Sequence, residues 1–335
     1  MLSFLIPTSR FLVPRPREAS VMSLEHLVSQ LHRHLPSAVR WSGSVARRMR
    51  QFNIALEDKK SGSSNTDALT LADLSVQELL VGALRDADPI FRNCRLEAEE
   101  TTGDLTRFAT TGEYTLALDP IDGTKQYRDR TGNGWSIILT LRSRATLHYT
   151  LVFIPESGPQ GTWVEVLGDR VVCGPDDPAR TAGEVLDSLP AITRDRWNQT
   201  PAGRGASRQI YMIGFQQHDR AKAQAVTQAG LTGVAADDCP GCPYELIASG
   251  AYAGSLIHSP NVYDFPASLQ VARALGGDSV WVDTGEPVNF DELWLDERAK
   301  MLRLPRIVAT SPDRRVLATL CDVAKDWNPV RYAER

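Results

Sequence analysis

One stretch decides the fold of this chain: Leu116-Ala117-Leu118-Asp119-Pro120-Ile121-Asp122-Gly123-Thr124-Lys125. In it an apolar run ends at an acid, a proline follows, and a second acid precedes a Gly-Thr pair. Pro120 fixes its own φ and disfavours helical backbone at Asp119, while Gly123 permits a positive φ or a close backbone approach. The pattern predicts a strand that ends in a tight turn.

The two acids of this turn, Asp119 and Asp122, can converge on one point because the turn separates them by three positions. Without a counter-ion their carboxylates would repel each other, and at least one pKa would rise. A hard divalent cation removes that repulsion and takes oxygen ligands, including a backbone carbonyl such as that of Ile121. Surface acids in an Asx-turn are the competing interpretation. The turn by itself therefore indicates a divalent-metal site without excluding the simpler alternative.

The composition is that of an ordinary globular protein. The chain has 335 residues, of which 42% are hydrophobic and 23% charged, enough for two domains or one large α/β unit. The formal net charge of −4 gives no indication of a nucleic-acid-binding surface. No apolar run reaches the length needed to span a membrane. Nucleic acid and membrane are therefore not expected as partners.

The five cysteines are odd in number and show no disulfide spacing. One close pair, Cys239 and Cys242, stands in a C-x-x-C arrangement, but the sequence offers no second pair or neighbouring histidine to complete a zinc site. We predict a loop with two reduced thiols. Such cysteine usage is typical of a protein in the reducing cytoplasm.

The chain divides into five predicted segments. These are a mobile extension (1–21), an N-terminal α+β domain with the metal turn (22–173), a connection with little regular structure (174–207), a C-terminal α/β domain (208–325) and a tail (326–335). The extension places its apolar residues before its arginines, which is the reverse of a secretory signal. A transit segment, or an over-long start before Met22, is the alternative for it.

Hydrophobic periodicity predicts helices near the N-terminus. One helix is expected over 22–35 and is interrupted at Pro36, and a second helical segment follows. Its arginines Arg47, Arg48 and Arg50 are predicted to form a solvated basic face, with a basic rim near a phosphate site as the alternative.

The segment Asp119-Pro120-Ile121-Asp122-Gly123-Thr124 resembles the D-P-[IL]-D-G-[TS] motif of the inositol monophosphatase superfamily. This group consists of Mg²⁺-dependent, often lithium-sensitive phosphomonoesterases and includes bisphosphate nucleotidases and fructose bisphosphatases. The resemblance extends over roughly residues 37–325. It implies an α/β (α+β) protein with the layered αβαβα fold of inositol monophosphatase and fructose bisphosphatase.

Three further acidic motifs appear in the family's order. Residues 70–73, Thr-Leu-Ala-Asp, resemble the family's T-x-x-D. Glu99 matches the first acid of a G-E-E motif, in which Ala98 replaces the glycine. Asp264 matches the acid of W-D-x-A-[AG], in which Tyr263 replaces the tryptophan. From the local patterns alone, Asp73 would complement a helix dipole and Asp264 would cap a helix.

The resemblance implies a metal-binding set that holds two or three Mg²⁺ ions, two of them bridged by Asp119. The set would consist of Glu99, Asp119, the carbonyl of Ile121, Asp122 and Asp264.

The resemblance also implies catalytic and substrate-binding residues. Thr124, polarised by Asp73, would orient the attacking water, and Glu99 would complete the catalytic group. The amides of Gly123 and Thr124 would bind phosphate oxygens, and Lys125 would bind substrate. The expected partner is a small-molecule phosphate ester, with a homodimer as an open alternative for the assembly.

The substrate is predicted from departures within the family. Lys125 resembles the D-G-T-K of the bisphosphate nucleotidase branch, although serines of that branch are replaced by Phe215 and Gln217. Ile257 stands where inositol enzymes carry an acid for the sugar hydroxyls. The leading hypothesis is a 3′(2′),5′-bisphosphate nucleotidase. Its alternatives are an inositol-1-monophosphatase or related sugar or polyol phosphatase, and a catalytically degraded regulatory protein on the same fold.

Overall fold

A computed structural model of the chain describes residues 23–52, 54–56 and 68–332. The predicted extension (1–21) and the start at Met22 lie outside the described residues. The elements of the N-terminal part are α1 (Leu24–Met49), α2 (Leu71–Ala87), β1 (Arg95–Ala98), β2 (Thr115–Asp122), α3 (Thr124–Asp129), β3 (Ser136–Arg142), β4 (Leu147–Ile154), β5 (Thr162–Leu167) and β6 (Arg170–Pro175). Those that follow are α4 (Ala182–Ser188), α5 (Arg194–Asn198), β7 (Gln209–Ile213), α6 (Asp219–Gln228), β8 (Thr232–Ala235), α7 (Pro243–Ala248), β9 (Gly254–His258), α8 (Phe265–Ala274), β10 (Asp278–Trp281), β11 (Trp294–Asp296), β12 (Met301–Arg303), β13 (Ile307–Ser311) and α9 (Arg314–Ala324).

The strands form two main sheets. The first sheet has the order β1-β2-β3-β4-β5-β6, in which β1 and β2 are parallel and the other neighbours antiparallel. The second has the order β10-β13-β9-β7-β8, with β9, β7 and β8 mutually parallel. Strands β11 and β12 form a small separate hairpin. The metal turn therefore lies at the carboxyl end of β2, inside the first sheet.

Helices cover both sheets and fill the space between them. Helices α1 and α2 pack on the first sheet, while α6 and α9 pack on the outer side of the second. Helix α8 contacts strands of both sheets, and α7 packs beside it. Every residue of α8 from Phe265 to Ala272 is buried, as expected for a helix enclosed on all sides. The result is the predicted αβαβα layering, which confirms the fold class.

The prediction of a helix broken at Pro36 is wrong. Helix α1 runs through Pro36 without interruption, and the proline ring is buried. Burial of an apolar stripe that includes Leu27, Leu31 and Val39 outweighs the loss of one backbone hydrogen bond at the proline. Tertiary packing therefore overrides the local helix-breaking signal.

Arg50 is also placed differently from the predicted basic face. It is 8% exposed, and its guanidinium donates to the carbonyl oxygens of Gln126, Tyr127 and Gly132. It also pairs with Glu156. Arg50 thus fastens the end of α3, the helix that follows the metal turn, to the end of α1.

The segment 174–207 is more ordered than predicted, although the domain boundaries themselves stay a prediction. It contains the end of β6 and helices α4 and α5. Thr181 and Glu184 form a capping box at the start of α4. Trp197 in α5 is fully buried, and its indole N–H donates to the carbonyl of Ile247. The high content of Pro, Gly, Asp and Arg in this segment predicted irregular structure, so the capping box and the buried Trp197 were not predicted.

Trp197→Ala should therefore destabilise the protein strongly. Removing a fully buried indole leaves a cavity and an unpaired carbonyl, so the free energy of unfolding should fall by about 3–5 kcal/mol. Trp41→Ala is the control, because Trp41 is 58% exposed and its loss should be nearly neutral. Chemical denaturation of both variants measures the difference. Equal effects would contradict the packing described for α5.

A polar cluster joins α1, β5 and α4. Glu165 is fully buried, its carboxylate lies 2.8 Å from His32 Nδ1, and Asp187 lies 3.1 Å from His32 Nε2. The hydrogen bond to Glu165 raises the pKa of His32 above its ordinary value of 6.5. The cluster holds α4 against the first layer of the fold.

The stability of this cluster should depend on pH. Because the pKa of His32 is higher in the folded than in the unfolded chain, its contribution is complete below pH 6.5 and is lost as pH rises through the folded pKa. His32→Gln should remove this dependence. Denaturation at a series of pH values, with wild type and variant side by side, is the measurement. Parallel pH profiles for the two proteins would show that His32 does not carry the effect.

The segment predicted as a tail packs against the second sheet in its described part. The ring of Trp327 meets Phe215 edge to face at 5.3 Å, and Arg331 is 8% exposed. No helix within residues 23–52, 54–56 and 68–332 combines the length and apolarity needed to cross a bilayer.

Candidate active site

A β-bulge brings Asp119 and Asp122 to the same side of the first sheet. Asp119 pairs with Ile138 of β3 and Asp122 with Ser136, so β2 carries one residue more than its partner between these pairs. Residues three apart in a regular strand point to opposite faces, and the extra residue corrects this. The strand therefore continues through Pro120 to Asp122, and a bulge within it, not the predicted tight turn at Pro120, lets the two acids converge.

Asp264 completes an acidic cluster from the other half of the chain. It precedes α8, and its carboxylate accepts a hydrogen bond of 2.9 Å from Asn261. Ligand oxygens of Asp119, Asp122 and Asp264 lie within 4.8 Å of one another. Three of the predicted metal ligands thus converge, although Asp264 lies in a part of the sequence far from the other two.

The electrostatics of the cluster are those of a cation site. Burial and neighbouring carboxylates raise the pKa of Asp119 and of Asp122 well above the ordinary range, and they raise that of Asp264 to about 7. Asp119 Oδ1 is buried and has no hydrogen-bond partner among the described residues. Clustered oxygen ligands, one of them unpartnered, match the preference of Mg²⁺. The residues present therefore fit the ion that the sequence motif implies.

Glu99 follows β1 and lies beside this cluster. Its backbone N–H donates to Leu118 of β2, and its side chain lines the same cleft as the three aspartates. Its charge and hydrogen bonding contribute to the raised pKa of Asp119. Glu99 is therefore close to Asp119, as expected for the predicted ligand set, although it stands outside the tight group of three.

Asp73 links the cluster to α2. One carboxylate oxygen accepts hydrogen bonds from the backbone N–H (2.7 Å) and hydroxyl (2.6 Å) of Thr70, forming a capping box. The other oxygen lies 3.0 Å from the hydroxyl of Thr124. Burial raises the pKa of Asp73 to about 6. Asp73 therefore both caps its helix, the simpler interpretation, and contacts Thr124, as the family motif implies.

The turn after β2 places backbone groups in the cleft. Gly123 has φ 82°, a left-handed conformation that side chains rarely adopt. The carbonyl of Ile121 accepts a hydrogen bond of 2.8 Å from Thr124. Gly123, Thr124 and Ile121 all line the cleft.

Lys125 is already engaged by another residue. Its ammonium lies 2.5 Å from Asp237 of the second half, and it is absent from the described lining of the cleft. Arg128, another cation close to the turn, pairs with Asp129. Lys125 and Arg128 therefore do not supply the positive charge of the cleft in its described part.

The cleft has a second wall that the sequence did not reveal. Its second wall is built from residues of the second half: Tyr211, Ile213, Gly214, Tyr244, Ile257, His258, Pro260, Asn261, Met301, Arg303 and Arg331. The only feature of the sequence that points to this wall is Arg331, a basic residue among the last few positions. No local motif distinguishes it from the other arginines.

Comparison with known proteins identifies the relatives of this arrangement. The sequence model of the inositol monophosphatase family matches residues 28–324. A search of curated proteins finds no match.

Several solved structures have the same fold. The extragenic suppressor protein suhB from Bartonella henselae has a TM-score of 0.60 and 13% identity, covering 90% of this chain and 100% of that one. An IMPase/NADP phosphatase complexed with Mg²⁺ and phosphate has a TM-score of 0.59 and 14% identity, and the match covers 90% of this chain and 97% of that one. Staphylococcal inositol monophosphatase-1, in an inhibitory complex soaked in 100 mM LiCl, has a TM-score of 0.59 and 14% identity. The match covers 93% of this chain and 100% of that one. At these identities the likeness concerns the fold.

Proposed function

The chain belongs to the inositol monophosphatase family and is a Mg²⁺-dependent phosphoric monoester hydrolase, and from that premise we propose that it acts on a small ester carrying a second phosphate. The best candidate is a 3′(2′),5′-bisphosphate nucleotide such as adenosine 3′,5′-bisphosphate. The observation that carries the proposed chemistry is the convergence of Asp119, Asp122 and Asp264 beside the Thr124–Asp73 pair.

Thr124 is proposed to position the attacking water. Its hydroxyl has one proton and lies near two acceptors, Asp73 Oδ1 and the carbonyl of Ile121. When that proton points to Asp73, the lone pairs of Thr124 are available to accept a hydrogen bond from a water in the cleft. The ionised Asp73 then holds the threonine in this orientation and favours removal of the water's proton.

The carboxylates supply the other half of the proposed mechanism. Glu99, Asp119, the Ile121 carbonyl, Asp122 and Asp264 would hold two or three Mg²⁺ ions. Bound Mg²⁺ lowers the pKa of a coordinated water and neutralises charge on the leaving oxygen in such sites. The carboxylates fix the positions of the ions, and the amides of Gly123 and Thr124 remain the proposed contacts for phosphate oxygens.

Two features support a bisphosphate over inositol phosphate. Ile257 lines the cleft, so an apolar side chain stands where a polyol would need an acceptor for its hydroxyls. Arg331 lines the same wall and favours an anionic group there. An inositol-1-monophosphatase or another sugar or polyol phosphatase is the alternative. The five cysteines are free, which supports the proposed cytoplasmic location.

Phosphate release from a panel of esters tests the proposal. Adenosine 3′,5′-bisphosphate and inositol 1-phosphate are compared with and without Mg²⁺, and kcat/KM should be higher for the bisphosphate. A preference for inositol 1-phosphate would overturn the nucleotidase proposal and leave the phosphatase assignment standing. Absence of Mg²⁺-dependent release from every ester would favour the degraded regulatory protein.

Li⁺ should inhibit the Mg²⁺-dependent activity. A small cation that competes for the carboxylate cluster after turnover would retain the phosphate product and slow its release. Initial rates at increasing LiCl, with equal NaCl as the ionic-strength control, are the measurement. Activity that is indifferent to Li⁺ but sensitive to Ca²⁺ would indicate a second ion site of different construction.

A further inference from the structure

The C-terminal segment brings a buried cation into the cleft. Arg331 is 8% exposed and lines the wall formed by the ends of β7 and β9. One terminal nitrogen donates to the backbone carbonyl of His258 and packs against Gly214 so closely that a Cβ there would lie 2.8 Å from it. The guanidinium is therefore held at the carboxyl ends of two parallel strands, where α/β sheets commonly bind ligands.

The guanidinium of Arg331 forms no direct ion pair within the described part of the chain, although Asp296 and Asp219 attract it from a longer distance. No carboxylate there lies within ion-pair distance of it, and its Nε is buried without a hydrogen-bond partner. Arg303, the other arginine of this wall, is instead bonded to Asp296 at 2.8 Å and to the carbonyl of Ser259 at 3.0 Å. Burial and the nearby Arg303 lower the pKa of Arg331 to about 10, so it remains charged at neutral pH.

Several contacts fix the segment that carries Arg331. The Trp327 ring packs on Phe215, and the carbonyl of Asn328 accepts a hydrogen bond from His258 Nε2 at 3.1 Å. The hydroxyl of Tyr332 donates to Asp296 at 2.7 Å. The chain therefore holds a charge in a buried position without a carboxylate in direct contact with it. Such an arrangement is costly unless an anion arrives from outside.

We propose that Arg331 binds the second phosphate of the substrate, the one that is not cleaved, and thereby determines specificity. This inference rests on the proposed function, because it takes the scissile phosphate to lie at the acid cluster. The remainder of the ester then extends along the cleft toward the wall that carries Arg331, whose guanidinium can donate hydrogen bonds to phosphate oxygens. The apolar Ile257 beside it offers no competing acceptor.

Two matched pairs of substrates test the inference. Adenosine 3′,5′-bisphosphate is compared with adenosine 3′-monophosphate, and fructose 1,6-bisphosphate with fructose 1-phosphate, so that each pair differs by one phosphate. Arg331→Gln should lower kcat/KM for a bisphosphate by about 10- to 100-fold, mainly through KM, and leave the monophosphate within about 2-fold. Arg331→Lys should restore part of the preference.

Arg298→Gln is the matched control. Arg298 lies between β11 and β12, is exposed and stacks on Tyr332 at 4.5 Å, so its loss removes the same charge from a neighbour of the C-terminal segment without touching the cleft lining. It should leave both pairs unchanged. An equal loss for mono- and bisphosphates in Arg331→Gln would show a structural role and overturn the inference, as would a wild type without preference in either pair. Preference in the fructose pair alone, lost in Arg331→Gln, would support the inference and overturn the nucleotide proposal.

Discussion

Asp119→Asn should abolish nearly all phosphatase activity, with kcat/KM falling by about 10³-fold or more. The carboxylate of Asp119 is buried, and one of its oxygens has no hydrogen-bond partner among the described residues. We therefore expect this carboxylate to bind a cation. Loss of that ligand charge removes electrostatic stabilisation worth several kcal/mol in the transition state, and each 1.4 kcal/mol corresponds to about tenfold in rate. Initial rates at saturating Mg²⁺ give the result.

The structure predicts that this variant stays folded. Replacing one of three neighbouring acids by an amide relieves repulsion, so the metal-free variant should melt at or above the wild-type temperature. Asp169→Asn is the control, because Asp169 is exposed in the β5–β6 turn and its loss should change neither activity nor melting. An Asp119→Asn variant with near wild-type activity would show that the acidic cluster is not the catalytic centre.

Thr124→Val should lower kcat by about 10²- to 10⁴-fold with little change in KM, because it removes the proposed contact to the attacking water. Valine keeps the shape of threonine, so α3 should remain in place. The lost hydroxyl leaves a buried oxygen of Asp73 unpaired, at a cost of about 1–3 kcal/mol in stability. Steady-state kinetics and thermal unfolding of the same preparation separate the two effects.

Thr124→Ser is the matched variant for this position. It retains the hydroxyl and should retain most of the activity, since the hydrogen bond to Asp73 can still form. If serine and valine are equally impaired, the methyl group matters more than the hydroxyl, and Thr124 does not position water.

The metal turn could be predicted from the sequence because its determinants are local. Pro120 and Gly123 limit the backbone, and the two aspartates lie within one turn. The position of Asp73 in the first turn of a helix could also be predicted, because the pattern around Thr70 is typical of a helix start whichever role the acid has. Asp264 carries only a capping signature, and its place in the cluster followed from the order of motifs in the family.

Other parts of the site depend on contacts between distant segments and could not be predicted. The sequence shows Lys125 beside the turn but not Asp237, which the second sheet brings to it. It shows Arg331 as one of many arginines, whereas its burial depends on the docking of Trp327 and Tyr332. The same reasoning explains Pro36, where packing of α1 on the sheet overrides a local signal.

The origin of the acidic cluster has a consequence for how the protein acquires its function. Asp119 and Asp122 belong to the first sheet, whereas Asp264 precedes the helix that separates the two sheets. A folding intermediate with only the first sheet formed would contain an incomplete set of ligands. High-affinity binding of a divalent ion therefore requires the two halves of the molecule to be docked, and it stabilises that docked state by an amount that grows with the logarithm of its affinity. Metal affinity is thus a measure of native assembly as well as of catalytic competence.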